Sequence, residues 1–237
     1  MVDEKTLKET IGLADACELL ARAAAFPNET LADALSDGRL VADARSCLED
    51  YGVGPEEVCA ACDPWEKLAG KDRDAILSEV RRASSLLFVR QGDGVAVWPY
   101  ESAFLHVEAG RDGEPTLFRS AVTLDVEKAM REAGGLPPDA LTEPCDSVWD
   151  EFMFLSYLFG SEAEALDADD AEAAEQFRGR ARAFVGDHAS RWLPGFFDAV
   201  ARELPGVADP ESAPALFYRG LCSYGACVMD AVARRVA

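Results

Sequence analysis

The chain has 237 residues, of which 49% are hydrophobic, which excludes a disordered polymer and supplies a substantial core. Acidic residues number 44 against 23 basic ones, a formal net charge of −21. Such an excess disfavours nucleic acid and anionic membrane surfaces as partners and favours cationic ones.

The start, Met1-Val2-Asp3-Glu4-Lys5, carries acids before its first cation and leads into no apolar h-region, so no secretory signal is expected. The longest apolar run, around Phe152–Phe159, falls short of a membrane span, and a cytoplasmic protein without stable membrane insertion is expected. Apolar residues recur at helical spacing through Lys5–Phe26, and Pro27-Asn28 ends that run. A second helix is predicted over Thr30–Asp50, closed by Gly52 and Gly54. Asp63-Pro64-Trp65-Glu66 reads as a helix start, with a capping acid and proline in the first turn, and Lys71–Phe88 as a strong helix.

The texture then changes. Gln91–Thr116, rich in glycine and proline, reads as a long irregular connection of the kind that carries function. A helix over Leu117–Glu132 ends at Gly134-Gly135, and Leu136–Pro144 forms a second loop holding Pro137, Pro138 and Pro144. Ser147 with Asp150 three residues on predicts a capped helix over Ser147–Phe159. The acid-rich stretch Ser161–Glu175 reads as solvated surface leading into a helix over Ala171–Val185. Helices over Pro194–Leu204 and Ala213–Arg235 complete the chain. Strand-like runs are nearly absent. The expectation is an all-α, single-domain bundle over residues 1–237, of about eight to ten helices with two proline-bearing functional loops.

Enzymatic signatures are weak. There is no G-x-S-x-G, no Walker-type phosphate loop and no G-x-G-x-x-G, and Gln91-Gly92-Asp93-Gly94 is a poor phosphate cradle. The two histidines, His106 and His188, read as helix-end or core residues rather than catalysts. Cys59-Ala60-Ala61-Cys62 lacks the second pair that a zinc site needs, and the odd count of seven cysteines argues against a disulfide framework. Arg81-Arg82 lies too far from the N-terminus to be an export signal and reads as a polar helix face. An all-α nucleotide enzyme built on the acidic run, and a metal or redox sensor using Cys59 and Cys62, are the competing classes. No cofactor and no metal are expected.

The aromatic residues are more informative. Trp98, Tyr100 and Phe104 surround Glu101 in the first loop, and Asp146 stands in the second beside the helix carrying Trp149. A carboxylate next to large apolar groups suits a peptide that is apolar with a cationic end. Further motifs stand in order around these. They are Leu87-Phe88-Val89, Trp98-Pro99-Tyr100-Glu101-Ser102, Met130-Arg131-Glu132-Ala133-Gly134, Glu143-Pro144-Cys145-Asp146-Ser147, Glu151-Phe152-Met153, His188 with Trp192, and Phe217-Tyr218-Arg219.

That ordered set resembles the TorD/DmsD family of cytoplasmic chaperones that mature molybdenum-cofactor oxidoreductases exported by the twin-arginine route. Ser147 departs from the family's loop histidine. The resemblance implies an all-α, non-enzymatic protein that binds the twin-arginine leader of a molybdopterin oxidoreductase catalytic subunit and delays export until the cofactor is loaded. It also implies peptide-binding roles for Leu87, Phe88, Pro144 and Asp146, with Ser147 at the histidine position. Composition and loop placement add Tyr100, Glu101, Trp149 and Glu151. Glu101 and Asp146 are expected to meet the arginines, with Glu151 a further candidate. A nitrate-reductase type partner without a cleaved leader is the alternative within this class.

Overall fold

The computed structural model describes residues 3–89, 94–138, 140 and 142–237. Among these it contains eleven α-helices, one π-helical turn and no strand, in line with the all-α expectation. α1 (Glu4–Ala24) starts where the Asp3 carboxylate accepts from the Lys5 N–H, and α2 (Glu29–Ser36) where Asn28 accepts from Leu31 N–H at 2.9 Å. Each such side chain satisfies an N–H that has no partner within the helix. α3 (Arg39–Tyr51) ends on Gly52 at φ 94°, in the left-handed region that glycine enters without a Cβ clash. The single helix expected over Thr30–Asp50 is therefore two, because Gly38 at φ 82° breaks it.

α4 (Pro55–Glu66) corrects a second expectation. Pro55 occupies its first turn, and Asp63-Pro64-Trp65-Glu66 forms its end instead of a new start. α5 (Arg73–Phe88) is capped by Asp72, whose carboxylate accepts from Ala75 N–H at 2.8 Å. α6 (Glu101–Glu108) lies inside the stretch expected to be an irregular connection. α7 (Ala121–Ala133) is capped by Ser120 and stops at Gly134. α8 (Val148–Asp167) runs two turns beyond Phe159 before α9 (Ala171–Phe184) begins on the Asp170 cap. The π-helical turn Val185–Ala189 joins α9 to α10 (Ser190–Val207), and α11 (Ala213–Val236) ends the fold.

α1 packs along α3 and α8, while α11 packs against α4, α10, α5 and α1. One continuous core results, with Trp65, Trp192, Phe152, Phe159, Phe196 and Phe217 fully enclosed. Trp65 lies flat against Gly220, where any Cβ would overlap its ring, and its Nε1–H donates to Phe217 O at 2.9 Å. Gly12 likewise lets α1 approach α3, since a Cβ there would stand 2.8 Å from Cys47 O. No helix among the described residues is long and apolar enough to cross a membrane.

The acidic stretch Ser161–Glu175, expected to be solvated surface, is not uniformly so. Glu162 is completely buried and pairs with Arg178 at 2.7 Å and with Arg235, because its turn of α8 faces α9 and α11. Glu164, Asp167, Asp169, Glu172 and Glu175 do face solvent.

Candidate functional site

The two proline-bearing loops meet. Tyr100 and Ser147 form an antiparallel bridge, with Glu101 N–H donating to Asp146 O at 2.8 Å and Val148 N–H to Pro99 O at 2.9 Å. Both loops therefore deliver a helix from one point, α6 at Glu101 and α8 at Val148. Each N-terminus is capped by an acid or hydroxyl of the second loop. The Asp146 Oδ2 accepts from Ser102 N–H at 2.9 Å and from Thr123 Oγ1 of α7 at 3.2 Å. Ser147 Oγ accepts from Asp150 N–H at 3.0 Å and donates to Asp150 Oδ2 at 2.6 Å, the capping pair expected from the sequence. Val97 N–H donates to Leu87 O at 2.9 Å, which ties the end of α5 to the same assembly.

Beneath the bridge lies a buried polar cluster. Glu101, Asp146 and Glu151 are wholly enclosed. The Glu101 Oε2 accepts from His188 Nδ1 at 2.9 Å, and the Glu151 Oε2 accepts from Trp192 Nε1–H at 2.9 Å. His188 and Trp192 stand four residues apart, on one face where the π-helical turn runs into α10. The other two oxygens, Glu101 Oε1 and Glu151 Oε1, have no further partner among the described residues. Burial first, then the charge of Glu101 and a hydrogen bond with it, hold the Glu151 carboxyl well above the ordinary carboxylate range. Glu151 is thereby favoured in its neutral, protonated form beside Glu101. Burial also raises Asp146, against the lowering effect of its bonds from Ser102 and Thr123.

These positions bear on the residues singled out from the sequence. Glu101, Asp146 and Glu151, expected to face arginines, are enclosed and bonded internally, so in this conformation none offers a carboxylate to an incoming guanidinium. Their hydrogen bonds fix the loops instead. Pro144 and Ser147 are buried beside them. Leu87 is in the core, and Phe88 is half-buried against Phe196 at 5.9 Å and Tyr218 at 5.8 Å. Tyr100 and Trp149 come together at the surface, edge to face at 5.6 Å and both half-exposed. One turn along α8 Met153 is 42% exposed, a residue that sequence reasoning left out of the site. The rim beside them is acidic, through Asp150 and through Glu143, whose Oε1 accepts from the Tyr100 hydroxyl at 2.6 Å. His188, which reads from the sequence as a helix-end or core residue, is buried in the π-helical turn. Its i, i+4 spacing from Trp192 was the one sequence signal that placed both on this face.

The competing chemistries gain nothing. Cys59 is exposed while Cys62 is buried, with burial pushing its thiol up to about 11, far from a reactive thiolate. Among the described residues no group of three or more side chains is placed to hold a metal ion. Gln91–Asp93, the core of the weak phosphate candidate, lie outside the described residues.

A family model described as nitrate reductase delta subunit matches residues 54–198, more than half of the chain and the span from α4 into α10 that holds every element of this cluster. Neither the curated proteins nor the solved structures gave a match.

Proposed function

The chain belongs to the nitrate reductase delta subunit family, whose members are maturation chaperones of molybdoenzymes, and from that premise we propose that it binds an N-terminal segment of a molybdopterin oxidoreductase catalytic subunit in the cytoplasm. There it holds the partner back until the cofactor is loaded. Where that segment is a twin-arginine leader, its apolar stretch lies over Tyr100, Trp149 and Met153, and its arginines face the Glu143 and Asp150 rim. The observation that carries this reading is that half-buried aromatic pair beside the exposed Met153, held next to acids by the paired loops. Aromatic rings give large contact area at low entropic cost, and methionine adapts to irregular apolar partners. Glu101, Asp146 and Glu151 act as positioning residues. They set the angle between α6 and α8 and do not touch the peptide.

The matched family description favours a nitrate-reductase type enzyme as partner. The excess of 44 acids over 23 bases raises the encounter rate with a cationic segment.

Titration of a synthetic leader by calorimetry tests the reading. Trp149→Ala is expected to weaken binding about tenfold, the effect of removing a central aromatic anchor. Association is expected to slow with added salt while the Trp149→Ala ratio stays the same. Equal affinity of wild type and variant would remove Trp149 from the interface.

A further inference from the structure

Thr123 carries no charge and stands outside the two paired loops, yet it is only 5% exposed and reaches both Ser102 at the head of α6 and Asp146 of the second loop. It lies in the first turn of α7, where its N–H donates to Ser120 Oγ at 2.9 Å. Four oxygens surround its hydroxyl. Ser120 Oγ stands at 2.8 Å, Leu117 O at 3.0 Å, Asp146 Oδ2 at 3.2 Å and Ser102 Oγ at 3.4 Å.

A hydroxyl brings one proton and two lone pairs, so it donates to one of these four at a time. The two serines can turn their own hydroxyls toward Thr123 and donate. The Leu117 carbonyl, and Asp146 as a carboxylate, only accept, so both claim the single Thr123 proton. Each claim has weight. The Leu117 carbonyl leads into a turn where Arg119 adopts φ 60°, a left-handed conformation that crowds any residue with a Cβ. Asp146 is completely enclosed, its Oδ1 has no hydrogen bond among the described residues, and its Oδ2 holds the Ser102 N–H at 2.9 Å. A buried carboxylate short of donors depends on each one it has.

We infer that Thr123 is a positioning residue for the peptide surface, its one hydroxyl proton tying α7 and the turn before it to the paired loops that place Tyr100 and Trp149. Donation to Asp146 braces the carboxylate that holds the Ser102 N–H, while the Asp146 carbonyl accepts from Glu101 N–H at 2.8 Å, so the head of α6 is fixed twice. Tyr100 precedes that head, and Trp149 follows the Val148 N–H that donates to Pro99 O, so the approach of the two rings depends on the pairing. Donation to Leu117 closes the turn instead and relaxes the brace. Thr123 itself does not touch the peptide. Its hold on the loops stands on these distances alone; its effect on leader affinity rests on the proposed chaperone surface.

Two substitutions separate the hydroxyl from the packing. Thr123→Val keeps the branched shape and removes the hydroxyl; Thr123→Ser keeps the hydroxyl and removes the methyl. Amide hydrogen exchange in the full chain is read at Glu101, Ser102 and Val148, whose N–H groups hold the loops together. In Thr123→Val their exchange is expected to rise about tenfold, and in Thr123→Ser to stay within about twofold of wild type. A residue that only packs gives the reverse order, because serine loses the methyl. Calorimetric titration of the synthetic twin-arginine leader is expected to follow the same order, about tenfold weaker for Thr123→Val and near wild type for Thr123→Ser. A loss of stability alone leaves the affinity of the folded chain unchanged. Trp149→Ala is expected to weaken the leader with the loop amides within about twofold of wild type, so loss of a contact and loss of positioning leave different signatures. The inference is overturned if the loop amides of Thr123→Val exchange as in wild type, if Thr123→Ser is affected as much, if Thr123→Val fails to fold, or if its loops loosen while the leader binds as tightly as before. A wild-type chain that does not bind the leader ends the chaperone-surface reading, and the exchange order then decides by itself whether Thr123 holds the loops.

Discussion

Alanine in place of Glu162 is expected to lower the unfolding free energy by about 3–5 kcal/mol, the cost of removing one partner from a buried ion pair. The carboxylate has no exposure and joins four helices. It accepts from Arg178 Nε of α9 at 2.8 Å and pairs with Arg235 of α11, whose guanidinium also donates to Thr10 Oγ1 of α1 at 2.8 Å. Arg178 is 26% exposed and keeps Glu175 at 3.1 Å, so it recovers part of its solvation. Arg235 is only 13% exposed and its Nε already lacks a partner, so it bears most of the loss. Glu162→Leu combined with Arg235→Met removes both charges and is expected to restore most of the stability. Urea unfolding at constant pH measures both. A single-variant cost below about 1 kcal/mol, the range of an exposed pair, would show that the cluster is solvated.

The second large effect concerns pH. Glu151 titrates far above its ordinary value of 4.5 because burial and Glu101 disfavour its charge. Between 4.5 and that raised value the folded chain holds a proton that the unfolded chain has released. Stability therefore falls as pH rises through this window, by at most about 1.4 kcal/mol per pH unit from this group, and is regained on acidification toward 4.5. Glutamine keeps the shape without the titration. Its oxygen can still accept from Trp192 Nε1–H, and its neutral amide places no second charge beside Glu101. Glu151→Gln is therefore expected to be more stable than wild type at neutral pH, with the gap closing as pH approaches 4.5. Asp146 is raised as well, so the wild-type curve contains both groups and the difference between the two curves isolates Glu151. Parallel curves for wild type and Glu151→Gln would contradict a protonated Glu151 in the fold.

Much of the architecture was legible because helices are local. α1, α5 and α11 follow from apolar spacing, and the start of α8 from Ser147 with Asp150. The errors have local causes too. Gly38 admits a left-handed turn that periodicity alone cannot see, and α6 is eight residues set among glycines and prolines. Pro64 does not open a helix but lies inside the last turn of α4, and Pro55 is its first-turn proline.

The site was legible in part. Glu101 and Asp146 were found as acids among aromatics, and Tyr100 with Trp149 as apolar neighbours. Sequence spacing could not show that Glu101 meets His188, 87 positions away, or that the two loops pair and bury their carboxylates. An acid facing water and an acid facing a buried proton partner look alike in a string of letters. Glu162, counted with the solvated acids, is the same error in another place.

The proposed role of this chain is to serve cofactor loading of a molybdopterin oxidoreductase. The most direct measurement is the molybdenum content of the host's molybdopterin oxidoreductase catalytic subunits, purified from cells with and without this chain. At least one subunit is expected to lose most of its molybdenum when the chain is missing and to regain it when the chain is restored. Full molybdenum occupancy of every such subunit in its absence would contradict the claim.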